Sequence, residues 1–281
     1  MLATMSNGQW IRPLSAESEG LAPGRGRLEG RRILIVGGGQ QVRDAQTDPI
    51  GNGRAMSLLA AREGAAVVVV DRIRARADET VQHIADQGGR AFSVEADITV
   101  EADVTRMIDE ARRFLGGLDG MVLNVGIGVD ALGLESIDVA KWDLTMAANL
   151  RGPMLCCREG LRHLDNGASV VFISSIAGLT SGSRLVSYDA SKAGLGGLMR
   201  HVALEGAVRG IRSNIVAPGL VDTPLGRTAT AGRPSRGLAR TPFGRMATGW
   251  EIAYAVLFFL SDESVYVTAQ TLAVDSGLTG I

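Results

Sequence analysis

Short apolar runs alternate with helix-like stretches along most of the chain, and this alternation most constrains the fold. Seven runs have the apolar, β-branched composition of buried strands, at 33–36, 66–70, 91–94, 120–124, 169–173, 211–216 and 271–274. Stretches with helical spacing of apolar residues lie between them, at 54–62, 73–86, 101–115, 140–163, 187–209 and 250–260. Strands that are apolar along their whole length and joined by helices are typical of a parallel sheet covered on both faces. The pattern therefore predicts a single doubly wound α/β domain.

The start of the chain lacks this pattern. Residues 1–30 contain Gly, Pro, Ser and Arg without a periodic apolar face, a composition typical of loops and chain termini. We expect a flexible N-terminal extension over residues 1–30, followed by the domain at 31–281.

Charge and hydropathy exclude several classes of protein. The 281 residues include 29 Lys and Arg against 30 Asp and Glu, for a net charge of −1, so a basic face that binds nucleic acid is not expected. No apolar run approaches the roughly 18 residues of a membrane span, and the first residues lack the pattern of a secretion signal. These features favour a cytoplasmic protein that binds neither nucleic acid nor membranes. The three histidines, His83, His163 and His201, lie far apart and predict no metal site.

Two groups of glycines follow the first predicted strand. Three glycines at 37–39 end the strand, and the sequence Gly-Asn-Gly at 51–53 opens the next helix. Glycines let the backbone approach a pyrophosphate, and the N-terminus of a helix offers it unpaired N–H groups. The candidate pyrophosphate-binding residues are Gly38, Gly51, Asn52 and Gly53. Residues 40–50 are predicted to be an insertion in this phosphate loop.

An acidic residue ends the second predicted strand. Asp71 lies 20 positions beyond Gly51. At about this spacing in the sequence, dinucleotide-binding folds place a carboxylate that accepts hydrogen bonds from the adenosine ribose hydroxyls. Its charge would repel the 2′-phosphate of NADP, so NAD is the favoured cofactor. Arg43 and Arg72 could each pair with that phosphate, so NADP stays open as an alternative.

A tyrosine and a lysine lie four positions apart in the predicted helix at 187–209. This spacing places Tyr188 and Lys192 on one face of the helix. Ser175 lies thirteen residues before Tyr188 and follows a predicted strand, at the edge where parallel sheets bind their ligands. The three side chains are candidates for one catalytic site.

These motifs and their order resemble those of the classical short-chain dehydrogenase/reductase family over residues 27–281. The resemblance implies a Rossmann-type domain that binds a nicotinamide dinucleotide. Besides the glycines, Asn52 and Asp71, the implied cofactor contacts are Asp97, Ile98, Asn124, Gly126, Tyr188, Lys192, Pro218, Gly219, Val221 and Thr223. Three positions in these motifs depart from the family pattern: Gly37 stands where threonine is usual, Leu123 where asparagine is usual, and Val125 where alanine is usual.

The resemblance also implies a catalytic tetrad of Asn149, Ser175, Tyr188 and Lys192. Tyr188 is the implied general acid and base, and a phenol with a pKa of about 10 can act near neutral pH only if a nearby cation lowers that pKa. Lys192 is implied to supply the cation and to hold the nicotinamide ribose. Ser175 is implied to hold the substrate oxygen, and Asn149 to hold a water that connects Lys192 with solvent.

The implied activity is the NAD(P)-dependent interconversion of a secondary alcohol and a ketone by hydride transfer, with a small molecule as substrate. Two alternatives stay open: an NADP-dependent reductase of 3-oxoacyl thioesters, and a catalytically silent, cofactor-binding scaffold on the same fold. The family also implies a homotetramer or homodimer built through the helices at 140–163 and 187–209.

The segment after the Pro-Gly turn is predicted to be a mobile lid over the substrate. Residues 224–246 are rich in Gly, Pro, Thr and Arg, a composition typical of such lids. The segment contains Arg227, Arg233, Arg236 and Arg240. These arginines either receive an anionic substrate or belong to a solvated loop.

Overall fold

Seven parallel strands form the central sheet of the computed structural model, which describes residues 5–6, 9–42, 44, 46–129, 133–180, 183–231 and 241–281. In chain order they are β3 (Arg32–Val36), β4 (Ala66–Asp71), β5 (Arg90–Glu95), β6 (Gly120–Leu123), β7 (Ser169–Ile173), β8 (Arg212–Pro218) and β11 (Thr271–Val274). Their order in the sheet is β11-β8-β7-β6-β3-β4-β5. Two short pairs lie outside it: β1 (Met5–Ser6) with β2 (Gln9–Trp10), and β9 (Val221–Asp222) with β10 (Ala247–Thr248).

Helices cover both faces of this sheet. They are α1 (Asn52–Arg62), α2 (Arg74–Asp86), α3 (Glu101–Leu115), α4 (Val139–Met146), α5 (Gly152–Gly160), α6 (Val186–Gly206), α7 (Pro224–Ala231) and α8 (Gly249–Leu260). Side chains of α1, α2 and α8 pack on one face, and those of α3, α5 and α6 on the other. The predicted doubly wound α/β architecture is confirmed. Within the described part of the chain, no helix is both long and apolar enough to cross a membrane.

Burial on both faces explains why the strands are apolar along their whole length. In β4 the side chains of Val67 and Val69 pack in the cluster that includes α1, whereas Val68 and Val70 pack in the cluster that includes α3. None of the four is more than 1% exposed. A polar residue on either face would therefore lie in a core.

The strand order reverses beside β3. The chain passes from β3 to β4 on one side and later places β6 on the other side of β3. In doubly wound sheets, ligands bind in the crevice beyond the carboxyl ends of the strands at this place. Gly37 follows β3 and Asn124 follows β6, and the N–H of Asn124 donates to the carbonyl of Val36 at 2.9 Å.

The helix predicted over 140–163 is interrupted. The α4 helix passes into a turn of π-helix at Ala147–Arg151, and α5 begins at Gly152. Pro153 has no N–H to donate to the carbonyl of Asn149, so a regular α-helix cannot continue through this point. Asn149 itself lies within the π turn, and such turns are frequent at functional sites.

The segment 11–30 packs against the domain. Leu28 is 0% exposed, and the guanidinium of Arg62 in α1 donates to the carbonyl of Gly20 at 2.7 Å. Arg27 forms an ion pair of 2.7 Å with the buried carboxylate of Glu63. These contacts correct the prediction of a flexible extension for residues 11–30. The sequence did not reveal them, because they are made by single side chains that leave no periodic pattern.

Candidate active site

The turn between β3 and α1 brings two stretches of backbone into close contact. A Cβ atom built on Gly53 would lie 1.9 Å from the carbonyl oxygen of Gly37. The side-chain amide of Asn124 donates to the same oxygen at 2.8 Å. Only glycine fits at position 53, and the contact fixes the start of α1 at the carboxyl edge of the sheet.

Asp71 lies against the phosphate loop at the end of β4. A Cβ atom on Gly39 would lie 2.5 Å from Oδ2 of Asp71, and Oδ1 accepts a hydrogen bond from the N–H of Ile73 at 3.0 Å. Burial raises the pKa of the Asp71 carboxyl, and the positive charges of Arg76 and Arg72 oppose this effect. The carboxylate is therefore next to the glycines, as its predicted role requires.

The insertion at 40–50 leaves the entry to α1 intact. Gln40 is only 8% exposed, and its Oε1 accepts a hydrogen bond from the N–H of Gly51 at 2.7 Å. Its Nε2 donates to the carbonyl of Pro49 at 3.3 Å. Gln40 thus joins the beginning of the loop to its end. Sequence reasoning missed this residue because a single glutamine carries no motif, and only the path of the loop reveals its contacts.

The start of α1 fits a dinucleotide. Its N-cap residue, Gly51, provides no side-chain cap to the first N–H groups of the helix, which are the groups that bind phosphate in this arrangement. The buried Oδ1 of Asn52 has no hydrogen-bond partner among the described residues. A buried acceptor of this kind requires a donor, and a ribose hydroxyl or an ordered water would supply one.

Asp97 and Ile98 follow β5 and line the far side of the crevice. Oδ1 of Asp97 accepts hydrogen bonds from the N–H and the hydroxyl of Thr99 at 2.8 and 2.7 Å. Ile98 is buried and packs against Gly152, where a Cβ atom would lie 2.7 Å from the isoleucine side chain. Asp97 thereby stabilises the turn into α3, and the contact of both side chains with adenine stays a prediction.

Lys192 is buried beneath the catalytic candidates. It is 3% exposed, and its ammonium donates to the carbonyls of Ile173 at 2.9 Å and Val125 at 3.3 Å. Burial lowers the pKa of Lys192 from 10.5 to about 8, because desolvation disfavours the charged form. Nζ lies 5.8 Å from the centre of the Tyr188 ring, within the range of a cation–π interaction.

The two serines after β7 hold this segment against α6. The hydroxyl of Ser174 donates to the carbonyl of Lys192 at 2.9 Å. The hydroxyl of Ser175 accepts a hydrogen bond from the N–H of Ala177 at 3.2 Å and caps a short 3₁₀ turn. Because a hydroxyl can accept and donate at once, this cap leaves the Ser175 proton available to a substrate oxygen.

Asn149 connects the segment after β6 to α6. Its side chain accepts from the N–H of Ile127 and donates to the carbonyl of Ile127, both at 2.8 Å. It also donates to the hydroxyl of Ser191 at 3.0 Å. Asn149 is 0% exposed, so its amide is a positioning group that fixes the chain opposite Tyr188 and Lys192.

The segment after β6 packs directly on the candidate pair. A Cβ atom on Gly126 would lie 3.0 Å from Nζ of Lys192, and one on Gly128 would lie 3.5 Å from the Tyr188 ring. A larger residue at 126 would therefore press on the ammonium. Gly126 is thus placed beside Lys192, and its contact with the cofactor stays a prediction.

The Pro-Gly turn closes the other side of the crevice. β8 ends at Pro218, and the N–H of Gly219 donates to the carbonyl of Val274 at 3.0 Å. Val221 is buried in β9, and the hydroxyl of Thr223 accepts from the N–H of Gly226 at 3.0 Å. The turn thereby leads into α7, the first part of the predicted lid.

One lid arginine can be placed. Arg227 in α7 makes a bidentate ion pair with Asp222, at 2.7 and 2.9 Å. Its charge is therefore compensated, which argues against a role for this residue in receiving an anionic substrate. The other three, Arg233, Arg236 and Arg240, lie outside the described residues.

The structure thus places Lys192 beside Tyr188, Asn149 beside Ser191, and Ser174, the neighbour of Ser175, against Lys192. The catalytic roles of the four residues stay predictions. Among the described residues, no group of three His, Cys, Asp or Glu side chains is arranged to hold a metal ion.

Comparisons with known proteins identify the family. The family model described as "Enoyl-(Acyl carrier protein) reductase" matches residues 48–279. A cis-4-hydroxycyclohexanecarboxylate dehydrogenase from Sinomonas cyclohexanicum is 39% identical over 233 residues, which are 82% of this chain and 93% of the relative. The 2-(S)-hydroxypropyl-CoM dehydrogenase 3 of Xanthobacter autotrophicus is 34% identical over 266 residues, which are 91% of this chain and 99% of the relative.

A solved structure agrees with these relatives. That of a short-chain type dehydrogenase/reductase from Mycobacterium ulcerans matches with a TM-score of 0.81 at 28% identity, over 89% of this chain and 90% of that chain. The chain therefore belongs to the short-chain dehydrogenase/reductase family of NAD(P)-dependent oxidoreductases.

Proposed function

We propose that this protein interconverts a secondary alcohol and a ketone, with NAD as the hydride carrier and Tyr188 as the general acid and base. The observation that carries the proposal is the buried ammonium of Lys192, which lies 5.8 Å from the ring of Tyr188. A buried charge is unfavourable for folding, and its retention beside a phenol indicates a chemical role.

The bound nicotinamide supplies the hydride exchange with the substrate carbon. Tyr188 accepts the proton of the alcohol when the substrate is oxidised and returns a proton when the ketone is reduced. The positive charge of Lys192 stabilises the phenolate form of Tyr188. Ser175 donates its hydroxyl proton to the substrate oxygen and so holds that oxygen close to Tyr188.

Lys192 has a second task at the cofactor. An ammonium has three N–H donors, and two of them donate to the carbonyls of Ile173 and Val125. The third donor suits a hydroxyl of the nicotinamide ribose. Lys192 thereby positions the cofactor and also stabilises the phenolate form of Tyr188.

Asn149 completes the proposed proton path through its main chain. Its side-chain amide is engaged with Ile127 and Ser191, so the side chain has no donor left for a water. Its carbonyl lies in the π turn, four residues before Pro153, which has no N–H to donate to it. We assign the relay water to this carbonyl.

Asp71 supports NAD rather than NADP. Its carboxylate lies against Gly39 in the phosphate loop, where it accepts hydrogen bonds from ribose hydroxyls and repels a 2′-phosphate. Arg72 and Arg76 are close enough to act on its charge, and Arg43 lies outside the described residues. Affinities for NAD and NADP, measured by calorimetric titration, test this preference.

Two classes of substrate are compatible with the proposed reaction. The first is a small alicyclic or acyclic secondary alcohol, in line with the alcohols named for the Sinomonas and Xanthobacter relatives. The second is a 3-oxoacyl thioester reduced with NADPH, in line with the substrate named for a 3-oxoacyl-[acyl-carrier-protein] reductase of Thermotoga maritima that is 32% identical over 254 residues. We prefer the first, because Asp71 favours NAD.

A cofactor screen tests the proposal. Secondary alcohols with NAD or NADP, and ketones and 3-oxoacyl thioesters with NADH or NADPH, are followed through the absorbance of the reduced nicotinamide. We expect turnover with an alcohol or ketone, a preference for NAD(H), and loss of turnover in Tyr188→Phe. Binding of neither cofactor would overturn the proposal. Cofactor binding without turnover of any substrate would favour the silent scaffold, and turnover of thioesters alone would favour the second class.

We further propose that the protein is a cytoplasmic homotetramer or homodimer. Apolar side chains on α4 and α5 remain exposed in the single chain: Val139, Leu144 and Met154. An association through these helices would cover them. Light scattering coupled to size-exclusion chromatography measures the assembly, and cell fractionation tests the location.

A further inference from the structure

The loop at 40–50 and the lid helix α7 are joined by one arginine. We propose that Arg227 and this loop form a bridge over the cofactor cleft, and that the bound dinucleotide leaves only after the bridge opens. The inference rests on the proposed function, because it requires NAD or NADP in the cleft. The bridge consists of Gln40, Asp44, residues 46–50 and Arg227.

The base of the bridge is fixed to the start of α1. Gln40 joins both ends of the loop through the N–H of Gly51 and the carbonyl of Pro49. The carbonyl of Ile50 packs against the first residue of α8, because a Cβ atom on Gly249 would lie 2.9 Å from it. The base therefore cannot swing away from α1 without breaking these contacts.

The tip of the bridge is held by its own hydrogen bonds. The carboxylate of Asp44 accepts from the N–H of Gln46 at 2.9 Å and from the hydroxyl of Thr47 at 2.7 Å. The N–H of Asp44 donates to the carboxylate of Asp48 at 3.1 Å. These contacts form a compact turn and set the position of the Thr47 carbonyl.

Arg227 joins this tip to α7. Its Nη1 donates to the carbonyl of Thr47 at 2.7 Å, while Nε and Nη2 donate to the two carboxylate oxygens of Asp222. The planar guanidinium satisfies three acceptors in a fixed geometry, which a lysine cannot do. Asp48 also contributes an attractive charge to Arg227.

The bridge crosses the mouth of the cleft. Its base follows β3, whereas α7 follows the turn after β8, and β6 and β7 lie between these strands in the sheet. Three strand spacings are about 14 Å. The strand ends below that span carry Asn124 and Ser174, so the bridge lies over the site that the cofactor and substrate share.

Release of NADH tests the bridge without reference to catalysis. The protein is loaded with NADH, mixed rapidly with excess NAD, and the fluorescence of the bound nicotinamide is followed. Loss of the Thr47 contact in Arg227→Ala should raise the release rate about tenfold, the effect of one charge-assisted hydrogen bond. Arg227→Lys should release NADH nearly as fast as Arg227→Ala does, because a lysine cannot reproduce the three hydrogen bonds of the guanidinium.

Control variants separate this effect from a general loss of charge or of fold. Arg113 is exposed on α3, and Arg113→Ala should leave the release rate unchanged. Replacing residues 41–49 by a short Gly-Ser linker should raise the rate as Arg227→Ala does, and the combined variant should show no further increase. An unchanged rate in both Arg227→Ala and the shortened loop would overturn the bridge. Absence of NADH and NADPH binding to the wild type would instead overturn the proposed function.

Discussion

The buried charge of Lys192 predicts a pH dependence of stability that reports on the active site itself. Lys192 is 3% exposed, and its pKa is lowered from 10.5 to about 8 by burial. The unfolded chain retains the ordinary lysine pKa, so between these two pH values the unfolded state binds more protons than the folded state. The free energy of unfolding must therefore rise with pH across this window, and the gain is absent below pH 8.

The two pKa values set the size of this effect. With 10.5 in the unfolded chain and about 8 in the folded protein, the Lys192 contribution rises by about 2 kcal/mol between pH 7.5 and 9.5. The thiols of Cys156 and Cys157 act in the opposite direction, because burial raises their pKa values. Comparison with Lys192→Met removes the thiol effect, which is common to both proteins.

Urea unfolding at pH 7.5 and 9.5, at one protein concentration, measures the change. The difference in unfolding free energy between wild type and Lys192→Met should shift by about 2 kcal/mol in favour of the wild type as pH rises. Lys141, the other lysine of the chain, is exposed on α4, so Lys141→Met should show no such shift. A difference that does not change with pH would refute a buried Lys192 of lowered pKa.

Three further variants test the cofactor loop and the N-terminal segment. Asp71→Ala should weaken NAD binding about tenfold by removing a charge-assisted hydrogen bond and should reduce the preference over NADP in calorimetric titration; an unchanged preference would argue against the assigned role. Gly53→Ala places a methyl group 1.9 Å from a carbonyl oxygen, so it should lower thermal stability and abolish NADH binding. Its control is Gly197→Ala, which has open space around the new methyl group and should leave thermal stability unchanged or raise it slightly. Leu28→Ala should lower the free energy of unfolding by about 2–5 kcal/mol. Leu21 is 74% exposed, so Leu21→Ala should lower it by less than about 0.5 kcal/mol. Similar values for the two variants would contradict a packed N-terminal segment.

Periodic patterns predicted most of the architecture. The runs at 169–173 and 271–274 and the helix at 101–115 have the same limits in the structure, because continuous apolar runs and helical spacing reflect burial directly. The π turn that contains Asn149 was not predicted. Pro153 disturbs a regular helix, but the form of the disturbance depends on the turn that precedes it. The packing of residues 11–30 was also missed, since a single buried Leu28 leaves no periodic signal.

Some residues of the candidate site were predicted from the sequence and others were not, for the same reason. Tyr188 and Lys192 were predicted together because four residues of α-helix bring two side chains to one face, whatever the rest of the fold. Gln40 and Arg227 were not assigned roles in binding the loop, because their partners depend on the path of that loop. Such contacts require the three-dimensional arrangement.

Transfer of deuterium tests the central claim most directly. The protein is incubated with NAD and a secondary alcohol that carries deuterium on its hydroxyl-bearing carbon, and the reduced nicotinamide is examined by mass spectrometry and NMR. The proposed mechanism predicts deuterium at C4 of the nicotinamide with the wild type, and none with a Tyr188→Phe variant that still binds NAD. Equal transfer by the two proteins would contradict the assignment of Tyr188 as the catalytic acid and base.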